Sequence, residues 1–253
     1  MVSEALSLDI RRIVTDSDLD GVVTGAILRR WWPEAEVVFG HPGELRAGLL
    51  DYCMDRHTAV CDLPRHPNCG LSIDHHQSNA PSEQDDDGVI AVWRQAPSAA
   101  RIAYELLVSD TDLSDLTEML VWVDKLDGGG ITREEFRSDH PMIWLGRVID
   151  VESGLAHHIL EALQQGVSVG DILSNSQVAP ALAERRRRQA EMDAVISQSI
   201  EVVDRLAIVR LEDRGLRSNG SHVTALVGDD CDACLVVHGD VGASFGEKGR
   251  YPV

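Results

Sequence analysis

The sequence predicts an α/β protein: a mostly parallel sheet flanked by helices, joined by a long helix to a smaller C-terminal unit. Three observations carry this. Short apolar runs at residues 10–14, 58–61 and 71–73 each lead into an aspartate: Asp16, Asp62 and Asp74. Between the first two runs, Val22, Val23, Ala26, Ile27 and Trp31 recur at helical spacing and supply one apolar face. From residue 179 to about 203 the chain turns charged and helical, and strand-like runs follow it. Strands alternating with helices are the pattern of parallel sheets.

The remaining elements follow in order. Residues 36–39 read as a strand after the break at Pro33, and residues 80–88, with Asp85, Asp86 and Asp87, as a solvated loop. Ser98 is placed to cap a helix over 99–107. A second helix over 114–123 is expected to stop near Asp124, before the break at Gly128, Gly129 and Gly130. Residues 142–151 and 155–165 give two more helices. The long helix carries Arg185, Arg186, Arg187 and Arg188, read as a solvated face rather than a phosphate grip. Strand-like runs at 206–211, 223–227 and 234–237 complete the chain. The expected organisation is a main domain over 1–178, a connector helix over 179–203 and a small unit over 204–253.

Composition narrows the function. Of 253 residues 43% are hydrophobic and 26% charged, a globular balance, while aromatics at 4% leave the core to aliphatic side chains. No apolar run approaches the roughly 18 residues of a membrane span, and residues 1–10 lack the features of a secretion signal, so a cytoplasmic protein is expected. Five cysteines, an odd number, favour reduced thiols. Cys231 and Cys234 form a lone CxxC, which is read as two free thiols beside a strand rather than half a zinc site. The net charge of −19 repels long polyanions and argues against a processive nuclease on long DNA.

In a parallel sheet, ligands bind beyond the carboxyl ends of the strands. Three apolar runs that each terminate in Asp therefore place three carboxylates along one edge. One such Asp is ordinary turn chemistry. Three, with His75 and His76 following the last, point to a site. Asp16-Ser17-Asp18-Leu19-Asp20-Gly21 presents carboxylates at alternate positions, a geometry for hard divalent cations. A calcium loop would require Glu where Ile27 stands. Gly21 and Gly25 leave room for a phosphate near the helix start. Imidazole suits Mn²⁺, Fe²⁺ or Zn²⁺ better than Mg²⁺, and Asp74 is placed to orient a ligating histidine.

The combined pattern resembles the DHH phosphoesterase superfamily. It comprises Asp16-x-Asp18-x-Asp20-Gly21, Asp62 after a strand, Asp74-His75-His76, and Val121-Trp122-Val123-Asp124-Lys125-Leu126-Asp127. The Ser98-Ala99-Ala100 helix start is similar too, and the ordered motifs span residues 10 to 127. The resemblance implies a centre of two divalent ions, Mn²⁺ with Mg²⁺ as an alternative. Asp16 would hold the first ion and Asp18 the second, with Asp62 bridging them. His75 and Asp124 would complete the ligand set of the second ion, with Asp127 the rival to Asp124. His76 would contact the phosphoryl group, and Asp20 would support the turn. Two departures stand out. Arg12 occupies a position where some branches carry a histidine ligand. The Gly-Gly-Gly-His signature of the DHHA1 substrate-binding domain is absent, although residues 237–246 resemble one of its strands, so a reduced or truncated DHHA1-like unit is expected.

The expected reaction is hydrolysis of phosphodiester bonds in short oligonucleotides or small nucleotides by in-line attack of water, with Asp62 and His76 at the reacting centre. Polyphosphate hydrolysis is the enzymatic alternative. A catalytically inactive scaffold for replication or repair proteins is the non-enzymatic one. His222 could meet substrate across the cleft or have no such role, and Trp31 or Trp32 could stack a base or sit in the core. Such an enzyme can work as a monomer or a homodimer.

Overall fold

The computed structural model describes residues 2–82, 88–150, 154–212, 214–216 and 218–239. The chain divides into two compact units. One comprises residues 1–131 and 141–179, the other residues 132–140 and 180–253.

The first unit is built on five parallel strands, β1 (Arg12–Asp16), β2 (Glu36–Gly40), β3 (Thr58–Cys61), β4 (Leu71–Asp74) and β5 (Ile90–Trp93), in the order β2-β1-β3-β4-β5. All four residues of β3 and of β4 are buried, as strands covered on both faces must be. β5 escaped sequence reading. Its four residues follow a polar loop, and each is only half-buried.

The helices, in chain order, are α1 (Val2–Leu6), α2 (Leu19–Trp31), α3 (Pro42–Arg46), α4 (Ala99–Leu107), α5 (Thr117–Asp127), α6 (Arg133–Arg137), α7 (Pro141–Val148), α8 (Leu155–Gln164), α9 (Val169–Ser174), α10 (Ala179–Ser199) and α11 (Gly220–Val227). α2 starts at the Asp18 cap, whose carboxylate accepts from the Gly21 amide at 3.0 Å, and its residues 19–28 are all buried. It packs against α4 and α8. The indoles of Trp31 and Trp32 donate to the carbonyls of Leu6 and Leu8, tying the N-terminal segment to the end of α2. That tether accounts for both residues without a stacked base.

Three sequence expectations are corrected. The helix expected to end near Asp124 continues to Asp127, closing on the Gly128 cap amide. The long charged helix ends at Ser199, and residues Ile200–Val203 form a strand, β6. The run 223–227 is the body of α11, because the Asn219 side chain accepts from the His222 amide and starts a helix there. Val223 and Val227 then share one face as residues four apart.

The second unit pairs β6 antiparallel with β7 (Leu206–Arg210), and β7 parallel with β8 (Ala233–Val237). Ile196 of α10, Ala207 and Val209 of β7, Leu211, Val223 of α11 and Cys231 form its core. Residues read from sequence as a connector thus belong to this unit's packing, together with α6. Three of the four arginines are engaged by acids: Arg187 pairs with Glu184 and Glu191, Arg188 with Glu184, and Arg186 with Asp139. All five cysteines are free thiols. Among the described residues no helix is long and apolar enough to cross a membrane. The segments 83–87, 151–153 and 240–253, onto which parts of the expected loop, helix and DHHA1-like strand fall, lie outside the described residues.

Candidate metal centre

The strand order reverses direction between β1 and β3, which is where a crevice opens in a sheet of this kind. β1 ends on Asp16, and β3 leads directly into Asp62. Asp62 holds φ at 55°, the left-handed region that asparagine and aspartate enter more readily than other residues with a side chain. Its amide donates to the Ile73 carbonyl, so the turn is locked to β4 and the carboxylate lies over the sheet edge at 2% exposure.

β4 ends on Asp74, whose carboxylate is spent on holding its neighbours. Oδ1 accepts from the amides of His75 (2.7 Å) and His76 (3.0 Å) and from His76 Nδ1 (2.8 Å), while Oδ2 accepts from Asn79 Nδ2 (2.6 Å). Asp74 therefore orients His76, not the histidine expected to ligate. His75 is held otherwise. Its Nδ1 lies 3.1 Å from the Ala96 carbonyl, which can only accept, so Nδ1 carries a proton and Nε2 is the nitrogen that would give up its proton to present a lone pair to a cation.

That Nε2 lies 3.1 Å from Asp127 Oδ2, 3.5 Å from Asp62 Oδ1 and 3.6 Å from Asp20 Oδ2. Asp62 Oδ1 and His75 Nε2 are both buried, and neither makes a hydrogen bond of acceptable geometry. Two groupings bring one ligand atom per residue within 4.8 Å of one another: Asp62 with Asp74, His75 and His76, and Asp20 with His75 and Asp127. Two unsatisfied buried polar atoms facing each other among carboxylates cost several kcal/mol unless something fills the space between them. A divalent cation of the oxygen-and-nitrogen-binding kind fits this donor set.

The electrostatics agree. Burial pushes the Asp62 carboxyl well above its usual range, with the Asp20 charge adding to it. Burial likewise raises Asp16 and Asp18, and Asp20 to about 7. Burial alone would depress the His75 imidazolium, but the carboxylates of Asp127, Asp62 and Asp20 outweigh it and raise it to about 11. A crowd of carboxylates holding a proton so tightly is short of positive charge.

The other expected residues are placed as follows. Asp18 caps α2, near enough to feel the charges of Asp16 and Asp127. Asp16 Oδ1 accepts from the Ser17 amide at 2.6 Å. Asp20 closes the fold at this point: its carboxylate accepts from the amides of Ala99 (2.7 Å) and Ala100 (2.8 Å) and so joins α2 to the start of α4. Asp124 lies in a different network. Ser98 Oγ donates to its Oδ1 at 2.7 Å, and the Arg101 guanidinium donates to Oδ2 through Nε, at 3.0 Å, and a terminal nitrogen. Of the two fourth-motif aspartates, Asp127 is the one beside His75. Arg12, at the opposite end of β1, bonds Glu36 and the Cys53 carbonyl. His222 lies in the second unit, 2.5 Å from Asp193 Oδ1, 2.6 Å from Gln189 Nε2 and 3.2 Å from Ser218 Oγ.

Sequence reading missed His41, Asn79, Arg101 and Trp93. The Trp93 indole donates to the His76 carbonyl at 2.9 Å and steadies the loop after β4. A signal for His41 existed, because it follows a strand run just as Asp62 does. The other three, Asn79 in a short turn, Arg101 in α4 and Trp93 at the end of β5, carry no such mark.

Five parallel strands in this order carry the ordered carboxylate and imidazole motifs at their carboxyl edge, and the fold has a counterpart among solved structures. No family model matches the chain, and no curated protein matches its sequence. Among solved structures, the pGpG-specific phosphodiesterase PggH from Vibrio cholerae superposes with a TM-score of 0.74 at 23% identity, covering 90% of this chain and 77% of that one. Two others align over similar lengths but too loosely to guide interpretation. A DHH domain described as a member of the s1p family of ribosomal proteins gives a TM-score of 0.44, at 13% identity and 91% and 72% coverage. An uncharacterized protein from Helicobacter pylori G27 gives 0.42, at 10% identity and 90% and 82% coverage.

Proposed function

We propose that the chain is a divalent-metal-dependent phosphodiesterase acting on small nucleotides or short oligonucleotides, with Mn²⁺ as the ion. The observation that carries this reading is the pair of buried, unpartnered atoms Asp62 Oδ1 and His75 Nε2, 3.5 Å apart at the carboxyl edge of the sheet. Asp62, His75 and Asp127 would hold one ion, with Asp18 beside them, and Asp16 would serve a second with Asp62 shared between the two. Bound there, such ions lower the pKa of water and neutralise charge on phosphoryl oxygens.

The chain's own residues do the rest. Asp74 fixes His76 through Nδ1, leaving Nε2 of a half-exposed ring to meet a phosphoryl oxygen. The Ala96 carbonyl holds His75 in the tautomer that offers Nε2 inward. Asp20 and Asp74, saturated by backbone and side-chain donors, hold the turn and the histidine pair in register. The acidic surface favours a short substrate over a long polyanion.

The name of the structural neighbour makes the linear dinucleotide pGpG the first compound to try. Asp62→Asn is the clean test, since asparagine tolerates the left-handed backbone that alanine resists. With Mn²⁺, hydrolysis should fall roughly a hundredfold or more in the variant. Full turnover by Asp62→Asn would overturn the mechanism. If the wild type cleaves polyphosphate and no nucleotide, the substrate class is wrong. A wild type that binds no Mn²⁺ is the inactive scaffold instead.

A further inference from the structure

We propose that His41 supplies the imidazole of the Asp16 side of the centre, a donor taken from the neighbouring strand. This rests on the two-ion reading above and adds a ligand to it. β2 runs parallel to β1 in a register that pairs Asp16 with Gly40. The residue after Gly40 therefore leaves the sheet at the same edge as Asp16, one strand spacing away, about 4.8 Å. That residue is His41. Its Nδ1 lies 3.4 Å from Asp16 Oδ1, and its Nε2 lies 3.2 Å from Ser17 Oγ.

The backbone under His41 is fixed. It is extended, with φ −115° and ψ 153°. Its amide donates to Glu44 Oε2 at 2.9 Å, and Pro42 at the first position of α3 locks the next torsion. Only the two side-chain torsions of His41 stay adjustable. At 67% exposure the ring is free to swing either nitrogen toward an ion held by Asp16. Ions such as Mn²⁺ are better held by carboxylate plus imidazole than by carboxylates alone. Asp62 and His75 already give the other side that mixture.

The position four residues before Asp16 cannot supply it. Arg12 begins β1, and its side chain is engaged by Glu36 and the Cys53 carbonyl at the far end of the strand. A four-residue strand segment spans about 13 Å. The nitrogen donor at this side of the centre comes from β2.

Calorimetric titration of the metal-free protein with Mn²⁺, followed by electron paramagnetic resonance of the loaded form, decides the matter. Wild type should show two binding events and the exchange-coupled signal of paired Mn²⁺. His41→Ala should weaken one event by about tenfold or more, leave the other within twofold, and replace the coupled signal with an isolated-ion one. Its metal-free melting temperature should match wild type, because the ring is exposed. Two unchanged events and an intact coupled signal in His41→Ala overturn this inference and leave the phosphodiesterase reading standing. A wild type that binds a single ion also overturns it. A wild type that binds none overturns both.

Discussion

Asp124 and Asp127 belong to one motif, and exchanging each for alanine should separate stability from metal binding. Asp124 accepts from Ser98 Oγ and twice from Arg101, with Ser98 fully buried and the Asp124 and Arg101 side chains 17% and 25% exposed. A charge-assisted hydrogen bond contributes about 1.5–3 kcal/mol, and the ion pair is neither fully buried nor fully solvated. Asp124→Ala should cost about 2 kcal/mol, because it strands a half-buried guanidinium and the hydroxyl that caps α4. For a unit of this size that is a fall in melting temperature of roughly 4–8 °C. Asp127→Ala removes a side chain at the rim of the cluster, 22% exposed, and relieves crowding among carboxylates. Its cost without metal should stay within about 1 kcal/mol. Melting in excess EDTA removes any contribution of bound metal to stability, and Mn²⁺ titration reads the site directly. Asp127→Ala should lose Mn²⁺ affinity by about tenfold or more, while Asp124→Ala should keep it within about threefold. The reverse result, Asp124→Ala abolishing Mn²⁺ binding at an unchanged melting temperature, would refute the assignment.

Two further outcomes are expected. The Arg30 guanidinium, bonded to both oxygens of Asp115 at 2.6 Å, holds that carboxyl below its ordinary value of 3.8. A depressed carboxyl stabilises the fold above its unfolded value and loses that contribution as pH falls through the folded value. Asp115→Asn should therefore be less stable than wild type at pH 7, by about 1 kcal/mol, with the gap narrowing as pH falls below 3.8; a gap that widens in acid contradicts the pairing. Gly21→Ala would set a Cβ 2.1 Å from the Asp16 carbonyl oxygen, a clash with backbone that cannot step aside without moving the Asp16 carboxylate. A loss of about 3 kcal/mol with weakened Mn²⁺ binding is expected, and an unchanged melting curve rules the close approach out.

Much of this was legible in the chain itself. Apolar runs ending in Asp16, Asp62 and Asp74, with helical spacing between them, identify parallel strands and the edge where a site must lie, because both patterns are local and period-bound. The same rule reaches His41 once β2 is recognised as the neighbour of β1. Period does not reach where α5 ends: Asp124 and Asp127 are three residues apart, and only the packing of Arg101 and Ser98 against one leaves the other for His75. Nor does it reach the second unit, where Asn219 starts a helix in a run of strand-favouring residues. Asp74 likewise looked like the support for His75 and instead holds His76, because a backbone carbonyl 20 residues downstream of His76 claims the other ring. Composition and spacing thus determined the class of fold and the pool of ligands. Which carboxylate faces the centre and which is neutralised by an arginine depends on contacts between residues distant in the chain. Only the folded structure decides those.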